Sequence, residues 1–191
     1  DFGNETVFKT LKKKGKNKLS YFNRIIKLLI QIQSIKHRKV KNFRNQNYII
    51  PKYDKKILIN EANLFCDWYA KNNLSKLRKK RFCKKFKKII KELTLKLKLK
   101  DNIFVHRDFH VSNLMSVKNQ IGLIDSQDAL IGNKAYDLAS LIDDVRLKTS
   151  YSFKEKIFKF YTKKQKNLDI KKFKNDFEIL SVLRNLKIIG I

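Results

Sequence analysis

The chain has 191 residues, 42% of them apolar and 12% aromatic, enough for one sizeable core and too apolar for a disordered chain. Its formal charge of +29 invites a nucleic-acid reading, yet only 8 of the 46 basic residues are Arg and the remaining 38 Lys are spread over every predicted helix. Specific phosphate and base recognition favours Arg forks in one patch, so no specific nucleic-acid partner is expected, only weak polyanion binding at low salt. No run of eighteen apolar residues and no basic-then-apolar leader is present, so neither a membrane partner nor a signal peptide is expected. The chain opens without Met and closes on an apolar helical pattern, so both ends read as cut.

Residues 1–17 read as a linker or short helix running into a Lys-rich turn. The opening Asp1-Phe2-Gly3 looks like a magnesium-binding tripeptide of kinases, but it lies about a hundred residues ahead of the loop it would have to follow. A first helix over 20–35 carries Tyr21, Phe22, Ile25, Leu28, Leu29 and Ile32 on one face. Pro51 and Asp54 open a second helix over 54–72, and a third, heavily basic, spans 76–93 with Phe82, Phe86, Ile89, Ile90 and Leu93 as its apolar stripe. The following LTLKLKLK fits a strand by alternation and a helix by charge pattern, and periodicity does not decide between them. Further helices are expected over 134–147 after the Gly132-Asn133 turn, over 153–166 behind a capping box at Ser152-Phe153-Lys154-Glu155, and over 170–190. Cys66 and Cys83 fall in helical patterns with no second pair for a zinc site; both read as reduced packing residues in a reducing, cytoplasmic compartment.

One stretch departs from the basic background. Residues 101–144 hold seven acids against three bases, a net −4 within a chain of +29. Inside it, Leu114-Met115 and Ile121 to Ile124 flank the polar turn Lys118-Asn119-Gln120, a hairpin pattern. His106-Arg107-Asp108 precedes the hairpin, Asn113 opens it, and Asp125 closes it. The hairpin returns Asp125 to the side of Asn113. An Asp to accept or orient a hydroxyl, an Asn and a further Asp for magnesium are the parts of a phosphoryl-transfer site, where positioning and charge neutralisation do most of the catalysis. Turns are rich in Asp and Asn for reasons of their own; the added Asp at a strand end, in an acidic island, is what points to a metal site. His106 is expected to hold the loop by hydrogen bonds and Arg107 to brace it, while His110 has two readings, loop-bracing or phosphate-facing.

VHRDFHVSNLM, IGLIDSQDALIGNKAYDLASLIDD and YDKKILINEANLFCDWYAKNNL together resemble the aminoglycoside phosphotransferase-like kinases. The nearest branch is that of the anomeric N-acetylmuramate/N-acetylglucosamine kinases of cell-wall recycling. The similarity extends over nearly the whole chain, with Ser126 where that branch has an aromatic residue between the metal Asp and Gln127-Asp128. The resemblance implies an α+β, protein-kinase-like fold, of which residues 18–191 would be the mainly helical C-terminal lobe with a small central β-hairpin. Residues 1–17 would be the interlobe linker, and the N-terminal nucleotide lobe is expected to be missing, since no Gly-rich loop is present among the five glycines. It further implies ATP as phosphate donor, Mg2+ as cofactor, Asp108 as the catalytic Asp, Asn113 and Asp125 as metal ligands, and Asp137 as the Asp that hydrogen-bonds the catalytic loop. A monomer is expected, inactive as these 191 residues alone.

For the substrate, Glu61 and Trp68 lie seven apart on one predicted helix, hence on a similar face, and Trp68 reads as core or as a sugar-stacking ring. Gln127 and Asp128 follow the metal Asp. Asp143 and Asp144 read as cleft-lining or as helix-capping, and Arg184 as a partner for a substrate carboxylate or a surface residue. The leading expectation is phosphorylation of the anomeric hydroxyl of an N-acetylated aminosugar. Its rivals are an aminoglycoside or choline-type kinase, with Asp128, Asp143 and Asp144 as counter-charges, and a non-catalytic basic binding module derived from a kinase lobe.

Overall fold

Helix α6, Ala135–Ile142, is apolar on nearly every side, and all of its residues are buried. A helix of that kind forms the middle of a core, with amphipathic helices around it. The computed structural model describes residues 3–13, 18–36, 38–100, 102–118 and 120–190; Asp1, Phe2, residues 14–17 of the Lys-rich turn, His37, Asp101, Asn119 and Ile191 lie outside the described residues.

Short helix α1, Val7–Lys12, is capped by Thr6 and buries Val7 and Leu11. It is tied to the hairpin, because Phe8 donates its N–H to the Val111 carbonyl and Ser116 donates to the Glu5 carbonyl. Helix α2, Lys18–Gln33, buries Phe22, Ile25, Ile26 and Leu29. It packs on α7, Tyr151–Lys163, through an edge-to-face contact of Phe22 with Phe153 at 5.1 Å. Helix α8, Ile170–Ile189, lies across α6 and across α3, Lys55–Leu64, and buries residues on more than one side, Phe173, Ile179, Leu180 and Leu183 among them.

The single helix expected over 54–72 is three pieces. Asp54 caps α3, Lys55–Leu64; a wider π-helical turn, Phe65–Tyr69, follows; α4, Ala70–Asn73, completes it. The end of α8 bears on that wider turn, where a Cβ on Gly190 would collide with the Phe65 backbone nitrogen. Extra residues in the turn shift the side-chain phase. Glu61 faces inward while Trp68 is 57% exposed, so the two do not share a face and Trp68 is not core. Helix α5, Lys76–Leu95, buries only Ile90 and Thr94 fully. Phe82 and Ile89 of its predicted stripe are exposed, because the helix rests on α3 and the wider turn at the outer edge of the fold.

Among the described residues, six strands form three two-stranded antiparallel sheets, in place of one expected hairpin. The expected one joins β4, Leu114–Val117, to β5, Gln120–Leu123, with Leu114 opposite Leu123 and Met115 opposite Gly122. Strands β1, Lys39–Lys41, and β2, Asn47–Ile49, make an exposed hairpin. Strands β3, Ile103–Val105, and β6, Leu130–Gly132, pair across the loop that carries His106 to Asn113. Three-residue strands leave too little alternation to be recognised by period alone.

Two helix boundaries also differ. Helix α6 stops at Ile142, because Asp144 turns inward to accept the N–H groups of Val111 and Arg146. Helix α7 begins two residues early, capped by Ser150 onto the Phe153 N–H at 3.3 Å, so Ser152 lies inside the helix and caps nothing. LTLKLKLK is helix to Leu95, then a turn at Lys96 and a stretch of no regular structure. The amides of Lys98 and Leu99 donate at 2.8 Å to the two oxygens of buried Asp176. Among the described residues no helix is long and apolar enough to cross a membrane.

Candidate active site

The loop between β3 and β4 holds His106 to Asn113, and its shape is set by hydrogen bonds from two directions. From below, Asp137 on α6 accepts the backbone N–H of His106 at 2.7 Å and of Arg107 at 3.0 Å. Complete burial pushes the Asp137 carboxyl up to about 7, against the pull of those two N–H groups toward the charged form. From within, His110 donates its N–H to the Asp108 carbonyl and Asn113 to the His110 carbonyl.

Arg107 sits at φ +72° and Asp125 at φ +68°, left-handed conformations that cost a non-glycine residue free energy and survive only where surroundings hold them. For Arg107 the hold is visible. Its guanidinium donates to Glu61 of α3 and, at 3.1 Å, to the Asp128 carbonyl. Glu61 also receives Lys187 of α8 at 3.2 Å and the Tyr53 hydroxyl, so one carboxylate joins two helices to the loop. Burial works against the charge on Arg107, and the hydrogen-bonded Glu61 outweighs it, holding the guanidinium above its ordinary range. Glu61, read from sequence as a substrate residue, is committed to these partners.

Asn113 and Asp125, twelve positions apart, meet across the β4–β5 hairpin: the Asn113 amide nitrogen lies 3.3 Å from an Asp125 oxygen and 3.1 Å from the Asp108 carbonyl. With two acceptors facing its nitrogen, the amide oxygen is the end left for a cation. Gln127 donates to the other Asp125 oxygen at 2.6 Å. An amide oxygen beside a half-solvated carboxylate is a hard donor set of the sort magnesium takes together with phosphate oxygens, so the residues present fit that ion. Among the described residues no cluster of three or more His, Cys, Asp or Glu forms a metal site; Asn113 and Asp125 would instead share the ion with a substrate.

Burial disfavours the charged form of both histidines of the loop. His106 is buried, its Nε2 3.1 Å from the Ile124 carbonyl, and burial lowers its affinity for a proton. His110 is pushed down to about 4, first by burial and then by the positive charge of Arg146. Cys66, buried beside Cys83, is pushed up to about 12 by burial and so stays a thiol.

Asp108 opens onto a cavity of about 220 Å³ lined also by Tyr136, Arg146, Arg184, Lys187 and Ile188. Arg184 is 3% exposed and not a surface residue. Asp143 is held by Lys154 at 2.6 Å and by the Ser181 hydroxyl, and Asp144 is buried with Arg146 at 3.2 Å. Asp143 lines a second, more open hollow with Asp144, and neither it nor Trp68 reaches the cavity of Asp108. Asp128 is exposed, its carbonyl occupied by Arg107. Tyr136, Arg146 and Lys187 were not singled out from sequence. The available signal was the scarcity of Arg in a Lys-rich chain, since Arg107, Arg146 and Arg184 all come to this region.

The model of the phosphotransferase enzyme family (APH) matches residues 16–168. The chain belongs to this family. Among curated relatives it is 30% identical over 149 residues to an N-acetylmuramate/N-acetylglucosamine kinase of Neisseria meningitidis, covering 75% of this chain and 45% of the relative. A Pseudomonas aeruginosa kinase of the same name is also 30% identical over 149 residues, covering 75% of this chain and 44% of the relative. The chain thus spans less than half the length of these relatives. In fold it is similar to a Plasmodium vivax ethanolamine kinase, with TM-score 0.65, 14% identity, and coverage of 97% of this chain and 55% of that one. It is likewise similar to the ADP-bound aminoglycoside phosphotransferase APH(2'')-Ib, with TM-score 0.55, 16% identity, and coverage of 96% and 70%. The phosphotransferase fold accounts for the layout: a helical body with small sheets that present a loop, a hairpin and a cavity at one place.

Proposed function

We propose that residues 18–191 are the helical, acceptor-binding lobe of an ATP-dependent sugar kinase, with residues 1–17 leading from a nucleotide-binding lobe. The acceptor is an N-acetylated aminosugar phosphorylated on its anomeric hydroxyl. The observation that carries the reading is the convergence of Asp108, Asn113 and Asp125: one carboxylate facing a cavity, and an amide and a carboxylate meeting just beside it. The curated relatives' names supply the sugar, and the cavity's chemistry agrees with it better than with the amine substrates of the rival reading, because Arg146, Arg184 and Lys187 surround Asp108.

Asp108 accepts the proton of the attacking hydroxyl, or orients that hydroxyl in line, as the hydroxyl oxygen bonds to the γ-phosphorus and the bond from that phosphorus to the ADP oxygen breaks. Asp137 keeps the loop at a fixed height, so that Asp108 needs no rearrangement to meet the acceptor. Magnesium, held by Asn113 and Asp125, would supply neutralisation of the phosphate oxygens. Nothing here calls for a membrane, a specific nucleic acid or a second copy of the chain, and a cytoplasmic ATP pool would serve it.

The direct test is a magnesium titration of sugar phosphorylation, with this chain joined to the nucleotide lobe of a family relative. Asp125→Ala should abolish magnesium-dependent turnover while leaving the chain folded. An unchanged magnesium titration in that variant would remove Asp125 from the ligand set.

A further inference from the structure

The outer edge formed by α5 and the wider turn carries more charge than its share of the chain, and neither cavity uses it. Helix α5 has ten Lys and Arg against one acid, Glu92, a net +9; α8, of equal length, has five against two and nets +3. Helices α2 and α7 also net +3 each. A uniform Lys bias does not concentrate charge threefold on one helix. Nor does the fold neutralise these cations: their one ion pair among the described residues is Lys88 with Glu92, at 4.0 Å on the surface. Apolar side chains stand among them. Arg78, Phe82, Lys85 and Ile89 follow at spacings of four, three and four, one line along α5, with Phe82 38% and Ile89 54% exposed. Phe82 continues into a row of rings: it stacks on Phe86 at 5.7 Å, Phe86 on Phe65 at 5.4 Å, and Phe65 on Tyr69 at 4.9 Å. Tyr69 and its neighbour Trp68, the one Trp of the chain, are exposed. Cations set among exposed aromatic and aliphatic side chains have the chemistry of a bilayer interface. There Trp and Tyr rest at the headgroups, and Lys stems lie along apolar surface with their charges in water.

We propose that this edge is a docking surface for an anionic lipid bilayer, which the chain touches from outside. Among the described residues no helix can span a membrane, and surface attachment requires none. Charge complementarity carries the choice of partner: each Lys or Arg held near an anionic lipid surface tightens binding by about fivefold. A nucleic acid fits less well. Its readers offer open ring faces to bases and Arg forks to phosphates, whereas these rings stack on one another and eight of the ten cations are Lys. The exposed aliphatic side chain of Ile89 finds a match in acyl chains and none in a polyanion. No residue of α5 or of the wider turn lines the cavity of Asp108, so docking does not occupy that site, and the proposal stands or falls apart from the kinase reading.

Trp68 reports from beside this row of rings. The 191-residue chain would be titrated, at near-physiological salt, with vesicles of phosphatidylcholine alone and with vesicles holding about 30% phosphatidylglycerol. The anionic vesicles should sediment the chain and shift Trp68 emission to the blue, with quenching by brominated acyl chains; the zwitterionic vesicles should do neither. Arg78→Gln with Lys85→Gln, at exposed positions without an ion pair among the described residues, should weaken binding by about tenfold or more. Lys156→Gln with Lys159→Gln on α7, the same loss of charge on another exposed surface, should weaken it by no more than about twofold. Ile89→Ser should weaken it by about threefold, the share of the apolar contact. No binding of the unaltered chain to anionic vesicles overturns the proposal without reference to any variant's folding. Equal losses from the α5 and α7 pairs, or a bound chain whose Trp68 emission is unshifted, overturn it as well. Single-stranded RNA bound more tightly than the vesicles, with the same dependence on Arg78 and Lys85, would assign the face to a nucleic acid instead. A Trp68 shift produced by raising the protein concentration alone would assign it to a second copy of the chain, and either result sinks the bilayer reading.

Discussion

The carboxylate of Asp137 accepts the backbone N–H of His106 at 2.7 Å across thirty-one positions of chain. A single buried side chain therefore joins α6, the centre of the core, to the loop that presents Asp108. Replacing it by Asn keeps the volume but puts an N–H against one of two backbone donors. Asp137→Asn should cost about 1–3 kcal/mol of stability in urea unfolding, the range for leaving a buried donor unsatisfied. Hydrogen exchange at His106 and Arg107 should accelerate in step; unchanged protection at both would show that the loop holds its shape by other means.

Asp176 plays the same part for the segment that follows α5. Completely buried on α8, it accepts from the amides of Lys98 and Leu99, and from the side chains of Asn133 and Asn175. Asp176→Ala strands both backbone amides. The expected loss is at least about 1–3 kcal/mol, read as a lower urea midpoint, with residues after Leu95 exchanging fast. A midpoint within error of the unaltered chain would mean that water replaces the carboxylate there.

These two residues show what can be read from the chain and what cannot. Asp108, Asn113 and Asp125 were legible because a short hairpin brings them together, so their relation is carried by local spacing. The helices α2, α5 and α8 were legible from apolar periodicity, within two residues at their ends. Asp176 and Glu61 were not, because their partners lie 78 and 46 positions away and nothing local marks a carboxylate destined for burial. The shift of phase at Phe65–Tyr69 was hidden for a related reason: the π-helical turn sits where Gly190 approaches the helix backbone, and that approach is tertiary. Trp68 was accordingly placed on the wrong face. Strands β3 and β6, three residues each, have their pairing from the fold and almost none of it from pattern.

His110 gives a pH test. Its ordinary value is 6.5 and the folded chain holds it down to about 4, by burial and by Arg146, with Arg184 adding to the effect and Asp144 and Asp108 opposing it. The unfolded chain therefore takes up the proton first, and stability falls as pH drops from 6.5 toward 4. Asp137 titrates in the opposite sense: pushed up to about 7 from 3.8, it favours the folded chain at low pH and loses that contribution as pH rises through 7. The two oppose one another over the shared window, so the comparison must be made residue by residue. His110→Asn, neutral throughout, should lose less stability than the unaltered chain between pH 6.5 and 4 in urea titrations. Parallel pH profiles for the two chains would show that His110 is not held neutral.

The central claim is phosphoryl transfer from ATP to a sugar hydroxyl at Asp108, and phosphorus NMR tests it most directly. The chain, joined to a relative's nucleotide lobe, would be incubated with magnesium-ATP and either N-acetylmuramate or N-acetylglucosamine. The account predicts a new anomeric sugar-phosphate signal, growing as ADP appears, and a rate lower by about 10²–10⁴ in Asp108→Ala. Near-normal turnover in that variant, or no sugar phosphate from a folded fusion that binds ATP, would contradict it.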